Sequence, residues 1–149
     1  MPRAQERYCA RLVRDALGCA GYIENYRFNF LRGDKTLKRP KGVTLPVDAY
    51  YPDANLVLEF REGQHYGDRF SFRDGRITAT GQTRKEQRLR YDKRREAVLP
   101  ARGVRLLIIY DYQLVGDYQQ DLSLIRQATE ELLTGHKHVY HRPSQPDSF

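Results

Sequence analysis

No stretch of this chain approaches the roughly 18 consecutive apolar residues that a membrane span requires. Its mean hydropathy of −0.77 points the same way. The opening segment, MPRAQERYCARLVRDALG, is amphipathic and mixed in charge. It lacks the unbroken apolar core of a secretory signal, so no membrane partner and a cytoplasmic location are expected. Cysteine is scarce: only Cys9 and Cys19 occur. They form no CxxC pair and match no zinc pattern, so two buried, reduced thiols are expected. Acidic residues are also short. There are 19 against 26 Lys and Arg, a formal net charge of +7. Such an excess marks a polyanion-binding surface, nucleic acid first, although a merely soluble basic protein has the same signature.

The apolar share of 40% over 149 residues is enough for one compact domain with a single core. Residues 4–17 carry Tyr8, Leu12 and Ala16 on one line with Cys9, Val13 and Leu17 beside them, which predicts a helix ended by Gly18 and Gly21. Residues 22–31 alternate aromatic and polar side chains and read as a half-buried strand. A turn-rich loop with five basic side chains follows at 32–42. Residues 44–51 and 56–61 read as a hairpin across Pro52-Asp53-Ala54-Asn55. A second short hairpin is expected at 69–80, turning at Asp74-Gly75. Residues 83–99 are strongly helical from an N-cap at Thr83, with Pro100 and Gly103 as stop signals. Residues 104–110 read as a buried strand, 117–133 as a last helix, and 135–149 as a polar tail. No repeat or linker is visible. One domain is therefore expected over 1–149, with its core at about 4–133. The strand at 56–61, the basic helix and the strand at 104–110 form a β-α-β unit, which predicts that the two strands run parallel.

The hairpin at 45–61 carries the chemistry. Asp48 stands on one strand and Glu59 on the other, each a few residues from the turn. Strand alternation sets Glu59 and Arg61 on one face and Phe60 on the other. Two carboxylates close together on a sheet face repel, and a divalent cation relieves that repulsion. Hard oxygen donors suit magnesium or manganese. Such an ion activates a water and neutralises charge on a phosphate, the chemistry of phosphodiester hydrolysis. Taken alone the pattern is weak, because solvated hairpin charges give the same spacing.

The neighbouring residues add to it. Val47-Asp48, Leu58-Glu59, Gly63-Gln64-His65, Tyr91-Asp92 with Arg95, and Gly103-Val104-Arg105 follow one another in order. This run, over about residues 46–110, resembles the very-short-patch-repair-like endonucleases of the PD-(D/E)XK nuclease superfamily. The resemblance implies an α/β, restriction-endonuclease-like core, a central mixed β-sheet flanked by helices in the order α-β-β-β-α-β. To this the chain adds the hairpin near 69–80 and a C-terminal helix. It implies a magnesium- or manganese-dependent endodeoxyribonuclease acting on DNA. Asp48, Glu59 and the Phe60 carbonyl would be metal ligands, with Glu6 at the edge of the site. Glu6 equally suits the first turn of a helix, near the positive end of its dipole.

Two departures stand out. The superfamily's lysine two residues after the acid is Arg61 here, and arginine cannot serve as a general base. It can still orient a water or stabilise developing charge, and Gln64 is the next candidate to position that water. An insert of about 17 residues lies between His65 and the basic helix. His65 suits a general acid or a phosphate ligand, and equally a loop hydrogen bond. Tyr91 and Arg95 fall on a helical line with Arg84 and Arg88 that could hold a phosphate backbone, as could Lys38 and Arg39 in the basic loop. A solvated charged face is the alternative for that helix. Asp92 is expected to pair with Arg88 or Arg95 and not with metal. The His136–His141 stretch reads as a polar tail more readily than as a transition-metal site. One site cuts one strand, so a double-strand cut would call for a homodimer. A nucleic-acid-binding module without catalysis, which Arg61 favours, and a regulatory protein-interaction domain are the competing readings.

Overall fold

The computed structural model describes residues 3–63 and 83–143. Its elements are α1 (Arg3–Leu17), β1 (Ile23–Arg32), β2 (Thr44–Tyr51), β3 (Leu56–Arg61), α2 (Arg84–Ala101), β4 (Arg105–Tyr110), α3 (Tyr118–Thr134) and β5 (Val139–His141). The five strands form one mixed sheet in the order β1-β2-β3-β4-β5. The first three are antiparallel meanders, while β3–β4 and β4–β5 run parallel. The α/β architecture and the parallel β3–β4 pair are as the sequence predicts. The expected hairpin at 69–80, with Gln64 and His65, lies outside the described residues. No helix among the described residues is long and apolar enough to cross a membrane.

Helices cover both faces of the sheet, and each face has its own core. On one side α1 and α3 pack Cys9, Leu12, Val13 and Ile125 against Leu56, Leu58, Leu107 and Ile109. On the other, α2 packs Leu99 against Val57, Leu106 and Ile108. β3 and β4 are sandwiched between the layers, which is why LVL and LLII are nearly unbroken apolar runs. Cys9 is buried as expected, whereas Cys19 is only partly so.

Two boundaries differ from the sequence reading. Pro100 does not stop α2, which runs through it to Ala101. The stop is a Schellman closure three residues later. Val104 N–H donates to the Leu99 carbonyl and Gly103 N–H to the Pro100 carbonyl, with Gly103 at φ +78°. Leu99 and Val104, the two ends of that closure, are both buried in the α2-side core. At the other end Thr83 and Glu86 form a complete capping box. The second correction concerns the polar tail. Residues 139–141 are an edge strand, with Leu107 opposite Tyr140 and Ile108 opposite His141. Tyr140 closes the α1–α3 core, and this burial draws a polar segment into the sheet.

Candidate metal centre

The site begins with an irregularity in β2. Ala49 and Tyr51 belong to the core under α1 and α3, whereas Leu45 and Val47 belong to the core under α2. Residues two apart on a regular strand share a face, so β2 must turn over at the residue between, Asp48. Its neighbour β1 turns over at the same level. Glu24 makes an ion pair with Arg7 of α1 at 3.7 Å, while Tyr26 packs on the α2 side. Between them Asn25 has φ +53°, a left-handed conformation that asparagine tolerates better than most residues. Asp48 is thus set where the sheet changes face and can be felt by both helical layers.

The β2–β3 backbone ladder has its last pair at Ala49 and Leu58. The next pair out is Asp48 opposite Glu59, and here side chains replace backbone partners. Asp48 N–H donates to Glu59 Oε2 at 2.9 Å, and Phe60 N–H donates to Asp48 Oδ2 at 2.7 Å. The exchange fixes both carboxylates through one oxygen each and brings Phe60 to the pair through its amide. Glu59 is 5% exposed. Desolvation, then the charges of Glu59 and Glu6, push the Asp48 carboxyl well above the usual carboxylate range. Desolvation raises Glu59 too, against the opposing pull of Arg95 and of the Asp48 amide. Glu6 of α1 therefore belongs to the electrostatics of the site.

Arg95 is the counter-charge. Its Nε lies 3.7 Å from Glu59 Oε1. Nε and Nη2 also donate to the Pro46 carbonyl at 3.2 and 3.0 Å, and Nη1 reaches Asp92 at 3.2 Å. Asp92 pairs with Arg95, as expected. Arg61 points to α2 as well. It is 6% exposed, donates to Glu96 Oε2 at 2.9 Å, and holds Nε 3.9 Å from Asp92. Its Nε and Nη2 are buried without a hydrogen-bond partner among the described residues. Tyr110 donates its hydroxyl proton to, or accepts one from, His141 Nε2 at 2.6 Å, and His141 lies 3.9 Å from Glu96. Burial lowers the His141 pKa. Neither Glu96 nor His141 is marked by a motif. Their roles arise because β5 docks beside β4 and brings His141 alongside Glu96 of α2.

The expected basic stripe on α2 divides. Arg84 and Arg88 are exposed on its first turns. Tyr91 and Arg95 are covered where β2 and the loop before it lie beneath the helix. The Tyr91 hydroxyl accepts from Asp34 N–H at 2.9 Å, so it anchors the basic loop. Tyr91→Phe should leave that amide without its acceptor, at a cost of about 1 kcal/mol. Native-state hydrogen exchange should show the Asp34 amide exchanging faster, with the core amides little changed. Lys38 and Arg39 are both exposed on that loop.

Among the described residues no three His, Cys, Asp or Glu side chains converge in an arrangement able to hold an ion. The donor set that is present is a pair. It fits a small hard cation in the manner of magnesium, which is commonly bound through one or two carboxylates and keeps several waters. The fit rests on two opposed carboxyls, each held by one oxygen, in surroundings that disfavour their combined charge. No protein-family model, curated protein or solved structure matches this chain.

Proposed function

We propose that this protein is a metal-dependent DNA endonuclease with a PD-(D/E)XK-type site on a restriction-endonuclease-like core. The observation that carries the reading is the Asp48–Glu59 pair, opposed at the point where the β2–β3 ladder ends and held by two amide-to-carboxylate hydrogen bonds, Asp48 N–H to Glu59 and Phe60 N–H to Asp48. Asp48 and Glu59 would hold magnesium or manganese. When bound, the ion supplies Lewis acidity, activating a water and neutralising charge on the scissile phosphate. Arg95 orients Glu59 and limits its protonation. The little-exposed surroundings of Glu59 strengthen every charge interaction made there. Arg61 holds α2 against β3 through Glu96 and Asp92, so a role in positioning water falls first to Gln64, which lies outside the described residues. Exposed Arg84, Arg88, Lys38 and Arg39 supply phosphate contacts.

The test is plasmid cleavage with magnesium, with manganese and with chelator. Nicking should require the ion and fall at least about a thousandfold in Asp48→Ala and Glu59→Ala, the scale expected when a step loses its main electrostatic support. A monomer should nick, and linear product should rise with protein concentration only if two copies act together. Intact binding with no cutting of any substrate would sink the reading. It would favour a binding module instead, to which the Arg61–Glu96 engagement already gives some support.

A further inference from the structure

The tip of the loop between β1 and β2, Thr36–Arg39, presents one large apolar side chain. Leu37 is 102% exposed, whereas the other exposed large apolar residues among the described residues lie between 42% and 65%. Isolated exposed leucines are ordinary on protein surfaces. This one stands at the apex of a constrained tip. Thr36 and Arg39 exchange both backbone hydrogen bonds, at 3.0 and 3.2 Å, so Leu37 and Lys38 form a two-residue turn. Gly33 N–H donates to the Val43 carbonyl at 2.8 Å and closes the base. Gly42, at φ +76°, packs so tightly there that a Cβ would lie 2.3 Å from the Gly33 carbonyl oxygen.

The base is fixed to α2 as well. Tyr91 holds the Asp34 amide, Arg94 Nη2 reaches Asp34 Oδ1 at 2.9 Å, Arg94 Nη1 donates to the Arg32 carbonyl at 3.0 Å, and Arg90 also pairs with Asp34. The loop's single acid is thereby consumed at its base. Lys35, Lys38, Arg39 and Lys41, all exposed, surround the apex, and none makes an ion pair among the described residues. Tyr91 sits one helical turn from Arg95, roughly 6 Å along the axis. One helix therefore sets both the loop and the counter-charge of the carboxylate pair.

We propose that Leu37 is a wedge that enters a base step of duplex DNA, with Lys38, Arg39 and their neighbouring cations seated on the flanking phosphates. Four cations around one apolar apex match a polyanion that offers an apolar gap between stacked bases. Wedges of this chemistry unstack a step and kink the duplex. The tip is pre-ordered by its own hydrogen bonds, so little entropy is lost on insertion. This inference rests on the nuclease reading only for its choice of DNA as partner.

The chain contains no tryptophan, so Leu37→Trp supplies the sole indole signal. In chelator, a saturating duplex of about 20 base pairs should quench that emission about twofold through stacking on bases. A 2-aminopurine placed at the entered step should brighten with the natural chain and stay dark with Leu37→Ala. Leu37→Ala should weaken binding about tenfold with its salt dependence unchanged, because no charge is lost. Lys38→Gln and Arg39→Gln should each flatten that dependence by about 0.9 in slope. Unchanged indole emission on a duplex shown by anisotropy to be bound overturns the wedge. So does a blue shift on anionic phospholipid vesicles without quenching by DNA, which would make the tip a membrane contact. Metal-dependent nicking measured on the same preparations separates the two ideas. Nicking without quenching removes only the wedge, quenching without nicking removes only the nuclease, and loss of both with no DNA bound removes both.

Discussion

Asp48→Asn should abolish metal-dependent nicking and, in the same protein at pH 8, raise the melting temperature. The two effects have one cause. Desolvation, then the charges of Glu59 and Glu6, all oppose the ionised form of Asp48. Asparagine keeps an oxygen that can still accept from Phe60 N–H, so the hydrogen bond survives while the charge is removed. A rise of about 3 °C is expected, the shift that 1 kcal/mol produces in a chain of this size. The pH dependence follows from the direction of the shift. The folded state binds Asp48's proton more tightly than the unfolded state does. Between the ordinary carboxylate range and the raised folded value, the native protein therefore carries more protons than the unfolded chain. Stability is greatest below that window and falls as pH rises through it. Asp48→Asn should flatten that fall, and Glu59→Gln should do so less, because Arg95 already offsets part of the Glu59 charge. Magnesium or manganese should stabilise the natural chain at pH 8, lose that effect on acidification, and leave Asp48→Asn nearly unmoved. Thermal melts with and without the ion across pH 5–8 read all of this. A melting temperature for Asp48→Asn at pH 8 below that of the natural chain would contradict the account of the pair as a stored repulsion.

Most of the architecture is visible in the sequence because periodicity is visible. The apolar runs of β3 and β4, the N-cap at Thr83 and the i, i+4 line of α1 each point to one element. What the sequence hides is set by neighbours. β2 alternates buried and half-buried residues along its whole length, which reads as one regular face. The turnover at Asp48 shows only in which core Val47 and Ala49 join. Val139-Tyr140-His141 has no strand pattern of its own and becomes β5 because β4 offers an open edge. The α2 stripe is a helical line as expected. Whether a residue on it meets solvent or carboxylates depends on what lies beneath each turn. Hence Arg84 and Arg88 face outward, while Arg95 is committed to Glu59, Asp92 and the Pro46 carbonyl.

Arg61 shows how position and role can part. It occupies the place where the resemblance expects the superfamily's lysine, and its guanidinium is turned to Glu96 and Asp92. If that clamp is its role, Arg61→Met should cost about 3 kcal/mol, the lower end of the loss when one partner of a buried pair is removed. Glu96 sets the lower end, because its side chain is still 28% exposed and some of its charge can turn to water. Asp92 keeps Arg95. The double variant Arg61→Met with Glu96→Met should be less destabilised than Arg61→Met alone, since no orphaned carboxylate remains and the methionines fill the space. Arg61→Lys is the more telling change. It restores the superfamily residue but supplies a compact ammonium on a shorter reach, without the planar fork that spans from Glu96 toward Asp92. A clamp predicts that Arg61→Lys lowers the melting temperature and leaves the nicking rate per folded molecule within a few-fold of the natural chain. A group acting on the reacting water predicts the reverse, with stability held and the pH profile of nicking displaced. Measuring melting temperature and the nicking pH profile on the same preparations decides between a residue that positions α2 and one that takes part in the chemistry.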